Sequence, residues 1–460
     1  MLRQIVCFVT IEGGRYRWTH HDIKKLIFCK KIPLRSGKTI TRRIIIITNE
    51  TNIGQQKIMV VDSIMGAGKS SWAIQHINEN PYENTLFITP FLSEVDRIIS
   101  STNRKFKQPV NRGSGKLASL NELLSIEADI VATHELFRHL DQNSKQLIKD
   151  GHYTLFLDEA LNVVEPYELR NNDLQILLDS GCITIDENGY VLWDEAKKEY
   201  DSKYNSIKLM AQNKSLVLVN KKLLVWKYPQ EIFNLFDKVY VLTYLFEGNI
   251  LKYYFDLHSI AYEKKSVQNI NGVYSLTDYF RPDTEKIKDR ICIYQGNLNE
   301  NFYQKRNGLS RTWFNAHTNR KNIAQLRNNL SNYFRNILHA KSDNIMWTVF
   351  KDYKSYLRGR GYTNGFTACN LRATNDFADR HCLAYMLNVF LHPAVSQFFK
   401  KNNISVDEEA YALSEMIQWI WRSAIRNGED INIYIPSMRM RGLLSDWLNM
   451  SFENQNQITA

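Results

Sequence analysis

The residues best suited to hold a phosphate group stand at Ser63-Ile64-Met65-Gly66-Ala67-Gly68-Lys69-Ser70, followed by Ser71-Trp72-Ala73-Ile74 at helix-compatible spacing. The apolar run Ile58-Met59-Val60-Val61 precedes them, so the order is strand, glycine-rich turn, Gly-Lys-Ser, helix. Gly66 and Gly68 let the backbone curl until its N–H groups converge, and the N-terminus of the helix adds its positive dipole end. Lys69 is then expected to hold the β- and γ-phosphates of ATP and the Ser70 hydroxyl to ligate Mg²⁺. The nucleotide-contacting set is Ser63, Gly66, Ala67, Gly68, Lys69, Ser70 and Ser71. Ser63 occupies the position where the usual pattern begins with glycine.

Hydrolysis needs an acid on a neighbouring strand. Tyr153-Thr154-Leu155-Phe156-Leu157-Asp158-Glu159-Ala160 is an apolar run that ends in two carboxylates. Asp158 is expected to orient the metal and Glu159 to polarise the attacking water as general base. Near the C-terminus, Gln418, Arg422 and Arg426 recur at every fourth position, which on one helix aligns them on one face. Two arginines a turn apart can clamp a transferring phosphoryl group through planar, forked hydrogen bonds. Trp419, Ile420 and Trp421 make the segment too apolar for a fully solvated helix.

These residues require elements to position them. From Lys57 onward short apolar runs alternate with helical patterns: Thr85–Thr89, Asp129–Thr133, Thr154–Leu157 and Val239–Thr243. That alternation predicts an α/β fold with a parallel sheet flanked by helices. Residues 171–229 read as mostly helical, and Lys252–Tyr274 as a connector or the edge of a second sheet. Further strand-like runs at Asn344–Phe350, Gly365–Ala368 and Ile431–Ile435 predict a second α/β domain, and Asn388–Asp407 an inserted helical element. The expected division is an N-terminal extension (1–56), an ATP-binding domain (57–250), a connector or accessory region (251–342) and a second domain (343–460).

A length of 460 residues accommodates two or three domains, and 44% hydrophobic residues with 12% aromatics exclude a disordered chain. A net charge of +11 favours an anionic partner, with nucleic acid first. The six cysteines are scattered without metal-ligand spacing, as expected of reduced thiols in a cytoplasmic protein. No apolar stretch reaches bilayer length, so no membrane association is expected.

Taken together the motifs resemble those of the superfamily 2 (DEAD/DEAH-box-like) helicases, most of all the divergent forms of bacteriophages and mobile elements. Asp158-Glu159-Ala160 is similar to the start of the DEAD box, with Leu161 where Asp or His would stand. Gln418-x-x-x-Arg422-x-x-x-Arg426 resembles the family's last motif, with Trp421 in place of Gly and one extra residue. Thr89-Pro90-Phe91, Ala132-Thr133-His134-Glu135 and Arg372–Arg380 resemble its nucleic-acid-contacting motifs, and Thr243-Tyr244 takes the place of its coupling motif, usually Ser-Ala-Thr. The resemblance implies two RecA-like domains with ATP between them, and nucleic acid held through its backbone by Thr89, Thr133 and Thr374. Its implied partners are DNA ahead of RNA, single-stranded or forked, and replication proteins of a phage-like genome.

The expected activity is an ATP-dependent helicase or translocase. The alternatives are an ATP-gated remodelling or origin-binding protein that does not unwind, a packaging-type motor, and a small-molecule kinase. A packaging motor needs an acidic cluster that residues 250–460 lack as sequence, and a kinase leaves the second domain unexplained.

Overall fold

The computed structural model describes residues 7–11, 14–18, 58–111, 113, 115–197, 199, 203–300, 305–369 and 376–450. The described residues before 56 form a unit of their own, in which Cys7–Ile11 pairs antiparallel with Gly14–Trp18. The other described residues form a second unit, in which the two largest sheets have seven and four strands.

The first sheet has the order Val273–Asp278, Glu263–Ile270, Ile58–Asp62, Lys238–Thr243, Tyr153–Asp158, Asn84–Thr89, Ile130–Thr133. Every pairing is parallel except that of the terminal Val273–Asp278 strand. Asn84–Thr89 is buried at all six positions, as expected of a parallel strand covered on both faces. Side chains alternate between two cores. Leu155, Leu157, Val239 and Val241 face one apolar cluster, whereas Phe156, Tyr240 and Leu242 face the other with Trp72 and Ala73 of the helix Lys69–Glu79.

Residues 164–227 interrupt this domain between its Asp158 strand and its Lys238–Thr243 strand. The expectation of a mostly helical segment is corrected here. Helices Asn171–Asp179 and Asn205–Gln212 are present, but so are a three-stranded sheet (Leu216–Val219, Leu223–Lys227, Val164–Tyr167) and the hairpin Ile183–Ile185/Val191–Trp193. Short continuous apolar runs such as Leu216-Val217-Leu218-Val219 carry no period that separates a buried strand from a buried helix.

The second sheet is four parallel strands in the order Ile291–Ile293, Ile431–Tyr434, Cys382–Tyr385, Ile345–Thr348. Two differences from the sequence reading stand out. Glu263–Ile270 joins the first sheet rather than edging the second, and Gly365–Ala368 contributes only an isolated bridge from Phe366 to Trp347. The architecture is thus two RecA-like α/β layers of parallel sheet and helix.

The layers are tied together. Pro393–Lys401, the element expected between Asn388 and Asp407, buries Val395, Phe398 and Phe399 in the cluster that holds Val217 and Val225 of the interrupting segment. Gly248 lies so close to the helix Glu408–Ile420 that a Cβ there would overlap the Ala410 carbonyl.

Candidate active site

The phosphate loop leaves the strand Ile58–Asp62 and enters the helix Lys69–Glu79 through two residues in the left-handed region, Gly66 (φ 86) and Gly68 (φ 92). That conformation costs any residue with a Cβ, and at Gly68 a Cβ would also overlap the ring of Tyr274. Ala67 N–H donates to the Ile64 carbonyl over 3.1 Å and closes the turn. Lys69 Nζ curls over the loop and donates to the carbonyls of Ser63 at 2.5 Å and Ile64 at 3.2 Å. Ser71 sits partly exposed on the first helical turn. The Ser63 hydroxyl is buried and accepts from Val267 N–H at 2.8 Å. A serine where the usual pattern has glycine therefore fastens the start of the loop to the adjoining strand.

One strand, Lys238–Thr243, separates the strand feeding this loop from the strand that ends at Asp158. The spacing brings Ser70 and Asp158 face to face, with Ser70 Oγ donating to Asp158 Oδ1 over 3.3 Å. Burial and the adjacent Glu159 carboxylate push the Asp158 carboxyl up to about 6. Burial pushes the Lys69 ammonium down to about 8, against the opposing pull of Asp158, Asp62 and Glu159. Glu159 itself has φ 65, a left-handed conformation that is costly away from glycine, and its N–H is pinned to the Leu242 carbonyl at 3.0 Å.

Hydroxyl and carboxylate oxygens are the donors Mg²⁺ prefers, and two adjoining carboxylates held away from water favour a cation beside them. Among the described residues no group of three or more His, Cys, Asp or Glu could cage a metal by itself. Ser70 and Asp158 thus fit a magnesium ion that takes its remaining oxygens from phosphate and water, as Mg²⁺ with a nucleotide commonly does.

The second layer meets this site directly. Ile64 and Met65 of the phosphate loop pack on the cluster containing Met416, Ile420 and Trp421. Gln418 lies on the helix Glu408–Ile420 and donates to Ser414 Oγ at 3.3 Å. The expectation that Gln418, Arg422 and Arg426 share one helix face is corrected. The helix stops at Trp421, and Ser423 is extended (φ −87, ψ −173) with its hydroxyl donating to the Ile420 carbonyl at 2.7 Å. Arg422 is consequently buried, within electrostatic reach of Tyr385, while Arg426 is exposed on a 3₁₀ turn and close enough for its charge to lower the Lys69 ammonium further.

The threonines expected to hold nucleic acid fare differently. Thr89 is fully buried and its hydroxyl finds no hydrogen-bond partner among the described residues, so in this conformation it is out of reach of a backbone phosphate. Thr133 is partly exposed and caps the helix His134–Arg138 by accepting from Leu136 N–H at 3.4 Å. Thr374 lies outside the described residues. Tyr274 and Gln75 had no signal in the sequence, being 199 positions apart. The Gln75 side chain accepts from Tyr274 N–H at 3.0 Å and donates to its carbonyl at 3.2 Å, which holds the Tyr274 ring against Gly68.

Two α/β layers meeting at a phosphate loop and a carboxylate pair define a two-domain protein of RecA-like fold. The chain belongs to the YonV family: it is 43% identical over 419 residues to the SPbeta prophage-derived uncharacterized protein YonV of Bacillus subtilis (strain 168), an alignment covering 87% of this chain and 100% of that relative. The YonV C-terminal Rossmann-like domain matches residues 285–448 and the YonV middle domain residues 164–226. Among solved structures, Xpd4 of S. tokodaii aligns with a TM-score of 0.46 at 13% identity over 86% of this chain and 95% of its own. The DUF1998 helicase MrfA bound to DNA aligns with a TM-score of 0.30 at 12% identity over 83% of this chain and 46% of its own. Among the described residues no helix is long and apolar enough to cross a membrane.

Proposed function

We propose that this protein is an ATPase that couples hydrolysis to movement on, or remodelling of, nucleic acid, with DNA as the preferred partner. The observation that carries the proposal is the convergence of Lys69, Ser70, Asp158 and Glu159 on one point of the junction, with Arg426 of the second layer within electrostatic reach. In this reading Lys69 neutralises the β- and γ-phosphates, Ser70 and Asp158 hold the metal, and Glu159 orients and deprotonates the attacking water. Arg426 supplies charge from the opposite wall when the layers close. A kinase would need an acceptor pocket at the phosphate loop, whereas here Ile64 and Met65 pack, partly buried, against the second layer.

The deciding experiment is the ATPase rate of the full chain alone and with single-stranded DNA, duplex DNA and RNA. Strong stimulation by one polymer is the expected result, and a rate indifferent to all three would overturn the proposal. A second reading, an ATP-gated remodelling protein that does not separate strands, is favoured by the seating of Pro393–Lys401 on the first domain, because this tie restrains opening of the junction. ATPase stimulation without release of a labelled strand from a forked duplex would select it.

A further inference from the structure

Residues 305–360 are strongly basic for their length. They contain twelve lysines and arginines but only two acids, Asp343 and Asp352. Residues 1–50 hold eleven lysines and arginines against three acids, and outside these two stretches 36 basic residues stand against 43 acidic ones, so the rest of the chain is net acidic and residues 305–360 stand out from it.

The stretch folds as one layer over one face of the second sheet. Helices Arg311–Asn315, Arg320–Asn332 and Lys354–Leu357 share an apolar underside of Phe314, Ile323, Leu326, Leu330 and Leu357 against Ile345 and Trp347. The opposite face of the sheet, through Met346, Leu383 and Ile433, packs on the helices that carry Gln418 and Met440. Apolar contacts thus fix the underside, and the basic side chains point outward: Arg320, Lys321, Arg327, Arg335, Lys351, Arg358 and Arg360 are all exposed. Tyr356 stands among them with 59% of its surface open to solvent.

We propose that this layer is a docking surface for single-stranded DNA, separate from the layer junction, with guanidinium and ammonium groups on phosphates and Tyr356 stacking on a base. It rests on the nucleic-acid reading above and adds a location to it. An anchor outside the junction keeps the strand bound while the junction opens and closes.

The test is fluorescence anisotropy of a labelled single-stranded oligonucleotide with the full chain across a salt series, with thermal unfolding as the control for folding. The triple change Arg320→Gln, Lys321→Gln, Arg327→Gln is expected to weaken binding at least about tenfold and to flatten the slope of log K against log salt by about 2, at ~0.7 per phosphate contact. Arg320→Lys with Arg327→Lys keeps the charge and should retain most of the affinity, as should the matched triple Lys214→Gln, Lys221→Gln, Lys222→Gln on the segment that interrupts the first domain. Unchanged affinity and slope in the first triple would overturn the docking surface while leaving the nucleic-acid reading intact. An equal or greater loss for duplex DNA would overturn the single-strand assignment. If the unaltered chain bound no oligonucleotide even at low salt, the nucleic-acid reading itself would fall.

Discussion

Ser70 and Asp158, 88 positions apart, are joined by a 3.3 Å hydrogen bond from hydroxyl to carboxylate. This contact exists because the Lys238–Thr243 strand spaces the two strands that deliver them, and it brings the glycine-rich loop up to the carboxylate that ends the Tyr153–Asp158 strand.

The first prediction concerns the charge crowded behind that contact. Asp158 titrates near 6 in the folded chain against an ordinary 3.8, so the fold holds this proton more tightly than the unfolded chain does. Stability from this group is therefore present below about pH 4 and lost as pH rises through 6. Glu159→Gln removes a like charge and should raise the melting temperature at pH 7, with little gain at pH 4. The same variant should stop ATP turnover while retaining Mg-ATP. Equal melting temperatures at both pH values would disprove the coupling.

Lys69 supplies the opposite case. Its ammonium titrates near 8 against an ordinary 10.5, so between those values the unfolded chain holds more protons and the group's contribution to stability grows as pH rises. A triphosphate beside Lys69 restores its charge, so ATP binding at pH 8.5 should take up a proton. Affinity should fall with pH above 8, by at most about tenfold per unit. Calorimetry in two buffers of different ionisation heat measures the uptake, and Lys69→Ala should abolish it. No uptake in the unaltered chain would count against Lys69 as the phosphate ligand.

Gly66 and Gly68 should respond differently to the same change. Both are left-handed, but a Cβ at Gly66 meets open space, whereas at Gly68 it enters the Tyr274 ring. Gly66→Ala should therefore cost on the order of 1 kcal/mol and weaken nucleotide binding modestly, and Gly68→Ala should abolish it. Adding Tyr274→Ala to Gly68→Ala should recover part of the loss, read as the thermal shift produced by Mg-ATP. If the double variant is no better than the single, the ring is not the obstacle.

Much of this site is legible in the sequence because its parts are local. The loop from Ser63 to Ser70 is contiguous, and Asp158-Glu159 ends a run of strand residues, so type and spacing suffice. What depends on distant pairing is not legible. The role of Ser63 depends on Val267, that of Gly68 on Tyr274, and both partners lie on a strand pair whose β-character gives no hint of which sheet it joins. A fragment ending near Gly248 would lack these contacts, and so would not isolate the nucleotide site. The helix expected through Arg426 fails because its four-residue spacing is interrupted by a buried serine, Ser423, whose hydroxyl donates to the Ile420 carbonyl at the helix end.

That break separates the two arginines, and with them two experiments. Arg426 is exposed and acts on Lys69 across the junction, so Arg426→Ala should leave the fold and ATP binding intact while hydrolysis falls, by as much as ~10³-fold if it serves as an arginine finger. Stimulation by nucleic acid should disappear with it, since stimulation depends on bringing the second layer onto the phosphates. Arg422 is buried, within electrostatic reach of Tyr385, and its removal empties the buried space its side chain fills. Arg422→Ala should therefore lower the melting temperature by several degrees and reduce turnover only in proportion to the loss of folded protein. Measuring turnover per folded molecule distinguishes the pair: a silent Arg426→Ala together with a catalytically dead but stable Arg422→Ala would reverse the assignment, and two silent variants would remove the second layer from the chemistry.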